Sequence, residues 1–443
     1  MSWARDLTGR VLCLLYVGSI GVPLFILPGY RTTNWTLIYH SQAPATLDVQ
    51  ALRIHWSAAF AALVGAYFIV WCIRRRRLDP LPRLRLVAGL GVVFLLALLA
   101  GLATSPSRLS VVYFAQTILP MAGFLAGVSL AYRIPDLRRA VQLVVGAVTV
   151  SLAGILLLAY SYGALSADIV AANRLARAIP QFQDYFPFIV VASLSLAMGL
   201  IGSFHETRRR AVLAAAIGLH LAFFALVWSR MAVIMLALVV VTPVVLASRS
   251  TPRARRLTHA ILMGLLLAGI GVIVTRVSVL APRLEHAGTA NGTVQSDSRR
   301  LQYAAEALGV IAEEPVFGRK FVADWYLRVT GSHTEALRIP RMFRAHNQYL
   351  DYGIRAGVPA MLLLAAIVGT VVIDLRRALR RSAELPALRP LVVGVAGALL
   401  ALAVGNLTQL FLVQAQTGSL AWFLVGVAAT LPHTTRHDAV PQC

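Results

Sequence analysis

Charged residues are scarce in this 443-residue chain, at 13% of the total where a soluble protein carries about 25%. With hydrophobic residues at 58% and a mean hydropathy of +0.73, the scarcity excludes an ordinary soluble domain and places the chain in a bilayer. Acidic residues are the rarest charged group, 18 against 41 basic ones, and Lys320 is the only lysine. The positive charge is therefore almost all arginine, whose planar guanidinium donates two parallel hydrogen bonds to an oxyanion. A net charge of +23 would suggest nucleic acid in a soluble protein. In a membrane protein it must first be divided between the two faces, and no nucleic-acid partner is expected. The three cysteines, Cys13, Cys72 and Cys443, show no metal spacing, which argues against a disulfide frame and a zinc site. An Asp-x-Asp metal motif, an internal repeat and a low-complexity tract are all missing as well.

What the chain does have is a series of apolar runs near the roughly twenty residues that a helix needs to cross a bilayer. They lie at about 11–28, 56–73, 86–104, 111–132, 140–163, 186–204, 212–228, 231–248, 260–277, 357–375, 391–410 and 419–431. These predict an all-α polytopic membrane protein of about twelve transmembrane helices. The first run has no Ala-x-Ala-like exit and many more follow it, so it reads as a retained anchor. Gly123 and Gly127 form a GxxxG in the fourth run, the pattern of a close helix contact.

Alternate connections are densely basic: Arg74 to Arg77 with Arg83 and Arg85; Arg133, Arg138 and Arg139; Arg208 to Arg210; Arg249, Arg253, Arg255 and Arg256; Arg376, Arg377, Arg380, Arg381 and Arg389. The positive-inside rule assigns these to the cytoplasm, together with both termini, where they meet anionic membrane lipids. The opposite connections are mostly short. The exceptions are 30–55, which is medium and polar, 164–185, and by far the longest, 278–356, a helical outer domain between spans nine and ten, which divides the chain into 1–277, 278–356 and 357–443. Its many arginines run against the orientation rule, but long loops are exempt from that rule, so their charge is free to serve a function.

Within that loop Ser296, Asp297 and Ser298 offer helix caps, and Leu301, Ala304, Ala305, Leu308 and Ile311 recur at helical spacing until Pro315 and Gly318. An amphipathic helix over the outer mouth is expected, with Arg299 and Arg300 in its first turn, where free backbone N–H groups favour anions. Two solvated charges are the plain alternative. Arg230, after Ser229 at the outer edge of a span, either snorkels to headgroups or grips a lipid-linked phosphate. His346, next to Asn347 and among several cations, is expected to stay neutral and able to accept a proton; a structural histidine is the alternative. Arg174 and Arg177, between spans five and six, either extend the cationic mouth or lie on a solvated helix.

Ser229-Arg230, then Arg300-Leu301 with Glu314-Pro315-Val316-Phe317-Gly318, then His346-Asn347-Gln348-Tyr349-Leu350 with Gly357 ahead of an apolar run, resemble the O-antigen ligase and polymerase superfamily. The likeness covers about the second half of the chain; the first half agrees only in being a series of spans. Arg300 fits the family arginine better than Arg299 by its distance from Pro315. Two positions depart from the pattern: Arg355 stands where an acidic residue is expected before the glycine, and Lys320 where a second glycine often follows Gly318.

The resemblance implies a GT-C-like glycosyltransferase at the outer, periplasmic face of the bacterial inner membrane. Its donor would be a glycan on undecaprenyl diphosphate, and its acceptor, in a ligase, a hydroxyl of the lipid A core. An O-antigen polymerase and a protein O-oligosaccharyltransferase of the same superfamily are the alternatives. In this reading Arg230 and Arg300 bind the diphosphate, with Arg299, Asn347, Arg174 and Arg177 as secondary candidates, and His346 is the catalytic base. A single displacement inverts the sugar configuration; retention commonly needs a carboxylate nucleophile, and the matched blocks hold no acidic pair. No cofactor or metal is expected. A lipid or solute transporter is the competing class, but the chain shows neither a duplicated half nor charges spread through mid-span positions.

Overall fold

A computed structural model describes residues 7–22, 56–75, 85–104, 108–161, 186–204, 206–224, 230–247, 294–318, 347–385, 388–407, 412 and 415–433. The described residues form helices: α1 (Leu7–Ile20), α2 (Trp56–Arg75), α3 (Arg85–Thr104), α4 (Arg108–Ile118), α5 (Ala122–Ala131), α6 (Ile134–Ser161), α7 (Phe186–Ile201), α8 (Thr207–Phe224), α9 (Arg230–Ala247), α10 (Val294–Glu313), α11 (Gln348–Arg381), α12 (Arg389–Gly405) and α13 (Ala415–Thr430). The described part of each expected span is mainly helix; 260–277 lies outside the described residues. Among the described residues, five stretches are long and apolar enough to cross a membrane: 57–74, 86–104, 114–131, 134–161 and 348–381. Shorter apolar helices are α1, α7 and α12. The fourth expected span is not one continuous α-helix, because Pro120 sits in a 3-10 turn, Leu119–Met121, between α4 and α5. Proline lacks the N–H that a continuous helix would bond.

Glycine sets the closest helix contacts. A Cβ on Gly123 would meet the carbonyl of Ser419, and one on Gly127 would meet that of Phe423, so the GxxxG lies directly against α13 as expected. Gly199 of α7 meets the backbone of α12 at Pro390 and Gly394, and Ser195 Oγ donates to the Gly394 carbonyl at 2.8 Å. Between these seams, α6 buries Val141, Val144, Val148, Leu152 and Ile155 along one face.

Side-chain and backbone contacts sort the helix ends into two groups. At the first end, Asp136, at the start of α6, is buried and lies 3.5 Å from Arg10 of α1, 4.0 Å from Arg133 and 3.9 Å from Arg139. Arg138 of α6 and Arg209 of α8 both lie over the Phe204 ring, at 5.4 and 5.5 Å from its centroid. Pairing of Gly123 with Ser419 and of Gly127 with Phe423 makes α5 and α13 parallel, and Arg381 donates to the Pro432 carbonyl beyond α13. The C-terminal ends of α5, α11 and α13 therefore join the starts of α6 and α8. This end is basic.

At the second end, Gln416 donates to the carbonyls of Ile20 and Val22, at 3.2 and 2.6 Å, and Gln348 N donates to the Asn406 carbonyl at 2.8 Å. The C-terminal ends of α1 and α12 thus meet the starts of α11 and α13. Helix α9 packs on α12, with Thr242 by Gly397, and begins at Arg230.

Candidate functional site

The second end holds the start of α11. Asn347 adopts extended backbone, φ −146° and ψ 119°, and caps α11: its side-chain oxygen accepts from Tyr349 N at 2.9 Å and Leu350 N at 3.2 Å. An Asn cap satisfies backbone donors that a helix start otherwise leaves unpaired. Gln348 is fully buried; its N–H goes to Asn406, and its Oε1 accepts from Leu412 N at 3.0 Å. The chain leaving position 346 is therefore fixed by hydrogen bonds to its own helix, to the turn after α12 and to Leu412. His346, Arg174 and Arg177 lie outside the described residues.

Helix α11 changes course at Ala356 (φ −143°, ψ 19°) and Gly357 (φ 78°, ψ 177°). The turn after α10 fits into that kink. Val358 N donates to the Pro315 carbonyl at 2.7 Å. A Cβ on Gly357 would collide with the carbonyls of Pro315 and Val316, and one on Gly318, itself at φ 72°, with the Ile354 carbonyl. Both glycines are required twice, for a backbone region closed to other residues and for the close approach of another chain segment. The Glu314-Pro315-Val316-Phe317-Gly318 block is thus a docking clip.

Above the clip Ile311 packs on Gly353, and Ala307, Ile311 and Ile354 form a small buried cluster with Val310, Leu350 and Val358 around it. Contacts 311 to 353 and 315 to 357–358 advance together, so α10 and the first part of α11 run parallel. Carried back at 1.5 Å per residue, the register puts the early turns of α10, which carry Arg299 and Arg300, at the same end as Asn347.

Two expectations about α10 need correction. The helix begins at Val294, so Ser296, Asp297 and Ser298 lie inside it. Arg299 and Arg300 belong to its second turn, where backbone N–H groups are already bonded within the helix, and the first-turn argument for anion binding does not apply to them. The buried face is Ala307 and Ile311 with Ala304 and Val310 half-buried, whereas Ala305 and Leu308 are exposed. The stripe is rotated because the partner is α11, and the small residues Ala307 and Gly353 allow the approach.

Arg355, the departure from the family pattern, has an acidic partner one turn earlier. Its Nε is 2.7 Å from Asp351 Oδ2 and its Nη2 donates to Oδ1 at 3.1 Å, with the side chains 3% and 2% exposed. The i,i+4 spacing was the available signal. One turn along the same face, Tyr352 packs edge-on against Phe94 of α3 at 5.1 Å. Among the described residues the Tyr352 hydroxyl, Gln348 Nε2 and Asn406 Oδ1 are buried with no hydrogen-bond partner, which makes a polar seam behind the α11 start. Sequence reasoning missed Gln348 and Asn406 because their pairing joins segments far apart in the chain. Among the described residues no group of three or more His, Cys, Asp or Glu side chains stands together.

Residues 215–365, from within α8 to the first half of α11, match the family model described as O-antigen ligase. The match includes Arg230, Arg300, the clip and position 346, and it agrees with the superfamily that these blocks resemble. No curated protein matches the chain.

Proposed function

We propose that this chain, matching the O-antigen ligase family over its central stretch, is a metal-independent glycosyltransferase of the bacterial inner membrane. It moves a glycan from undecaprenyl diphosphate to a hydroxyl of the lipid A core. What supports this reading is the sorting of ends: the Asn347 cap and the early turns of α10 lie away from the arginines around Asp136 and Phe204, and Arg230 begins the helix that follows α8 out of that basic end. Under the positive-inside rule the basic end is cytoplasmic, so the opposite end faces the periplasm.

There Arg230 and Arg300 hold the two phosphates. His346, the residue before the Asn347 cap in the sequence, takes the proton from the acceptor hydroxyl. The acceptor oxygen bonds to the anomeric carbon as the carbon–oxygen bond to the diphosphate breaks, and undecaprenyl diphosphate leaves with the electron pair. Diphosphate is already a good leaving group; cations aimed at its developing charge lower the barrier without a strong general acid. The absence of an Asp-x-Asp motif from the sequence agrees with arginine taking the place of a divalent ion.

Purified protein with lipid-linked glycan and three acceptors, the lipid A core, a second lipid-linked repeat and a peptide, analysed by mass, tests the reading. Glycosylated core supports a ligase. A lengthened lipid-linked glycan means a polymerase, and a glycopeptide a protein O-oligosaccharyltransferase. Transfer of glycolipid across vesicles with no new bond would replace the enzyme with a transporter.

A further inference from the structure

A groove of about 940 Å³ runs between α6 and α8 at the basic end. Its walls are apolar, with Val145, Val150, Val212 and Leu219 among them, and its mouth is formed by Phe204, Glu206, Arg208 and Arg209. Val150 and Val212 are exposed, as suits side chains that face acyl chains. The mouth is built rather than merely charged. The Phe204 ring carries both the Arg138 and the Arg209 guanidiniums, and Arg210 Nε donates to the Phe204 carbonyl at 2.6 Å. Arg138 Nε is buried and has no hydrogen-bond partner among the described residues. Glu206 pairs with Arg209 at 2.8 Å, but both side chains are more than half exposed, and such a pair is weak and readily opened. Asp136 is already surrounded by Arg10, Arg133 and Arg139. The groove mouth therefore keeps an excess of positive charge next to an apolar channel.

We propose that this groove is a binding site for one glycerophospholipid of net negative charge, its phosphate held by Arg138, Arg208 and Arg209 and an acyl chain laid between α6 and α8. The phosphodiester supplies acceptors and a negative charge to a cluster that has donors in excess. A choline headgroup would add a cation to the same cluster, so charge selects the headgroup while the walls accept any chain. Basic pockets between helices on the cytoplasmic side are a known setting for anionic headgroups. Gly146 lies on the groove lining, and a Cβ there would meet nothing within 4 Å, so a side chain added at this position starts in open space.

The experiment is native mass spectrometry of the full-length protein exchanged with equal phosphatidylglycerol and phosphatidylcholine. Wild type should retain the anionic lipid about tenfold over the zwitterionic one, because the choline cation of the latter is brought up to the same arginine cluster. Arg138→Ala with Arg209→Ala should abolish that preference. Gly146→Leu, which fills the channel and raises helix propensity, should lower retention of both lipids. Arg376→Ala, an exposed cation of α11 at the same end, should change nothing. Equal retention of the two lipids by wild type, undiminished preference in the arginine double variant, or undiminished retention in Gly146→Leu would each overturn the proposal, as would an equal loss in Arg376→Ala.

Discussion

Asp351 and Arg355 are both almost fully buried, and removing one partner of such a pair strands the other charge. Arg355→Ala should lower stability by about 3 to 5 kcal/mol, seen as a large drop in melting temperature in detergent. Asp351→Leu with Arg355→Leu should recover much of it, because an apolar pair leaves no stranded charge; a double variant no better than the single would disprove that account. The chemical residues should behave in the opposite way. Arg230→Ala and Arg300→Ala should each cut turnover by about tenfold or more, the loss of one charge-assisted phosphate contact, with melting unchanged. His346→Ala should cost about a hundredfold or more as the loss of a general base. Wild-type rates at matched protein amount would remove the residue concerned from the mechanism. Turnover unchanged by chelator is expected, and its loss would require a metal ion.

Local signals account for what was legible at the level of elements. Apolar runs marked the helices because hydrophobic length is a property of contiguous residues, and Gly123 with Gly127 marked a close contact because two glycines one turn apart present a flat helix face. The start of α10 was misplaced by the polar run Ser296-Asp297-Ser298, which resembles a cap but lies inside the helix. The clip was not legible either. Gly318 and Gly357 read as a stop and a start, whereas Gly318 is shaped by the backbone of 354–356 and Gly357 by that of Pro315 and Val316, across a long separation in sequence. Gly318→Ala and Gly357→Ala should therefore uncouple α10 from α11: strain at positive φ alone costs about 1 to 3 kcal/mol, and the backbone collision adds to it. Limited proteolysis between the two helices should accelerate in both variants and activity should fall with it; unchanged cleavage would show that the clip does not hold them. At Asn347, capping predicts that Asn347→Ala costs about 1 kcal/mol and that Asn347→Ser restores stability. A serine variant with restored melting and no turnover would instead show that the asparagine touches substrate.

For the whole molecule the arrangement of ends is the quantity to test. In a cysteine-free background, Thr104→Cys, exposed at the end of α3, should react with an impermeant thiol reagent added to intact cells. Arg208→Cys should react only after the membrane is opened. The reverse pattern would turn the molecule over and remove the periplasmic mechanism with it. The sequence carried this orientation in the alternation of arginine-rich connections. It could not carry the three-dimensional grouping, which rests on contacts such as Gln348 with Asn406 and Gly199 with α12.

The parallel docking of α10 on α11 has a consequence for how such a chain can change. The spacing between the backbone of α10 and the Asn347 cap is dictated by the glycine clip and the Ile311–Gly353 contact. A change of length or chemistry within 319–345, ahead of His346, then leaves that spacing untouched and can suit a different acceptor. A swap of that segment between homologues, with the clip and cap left intact, ought to transfer acceptor choice while the donor stays the same.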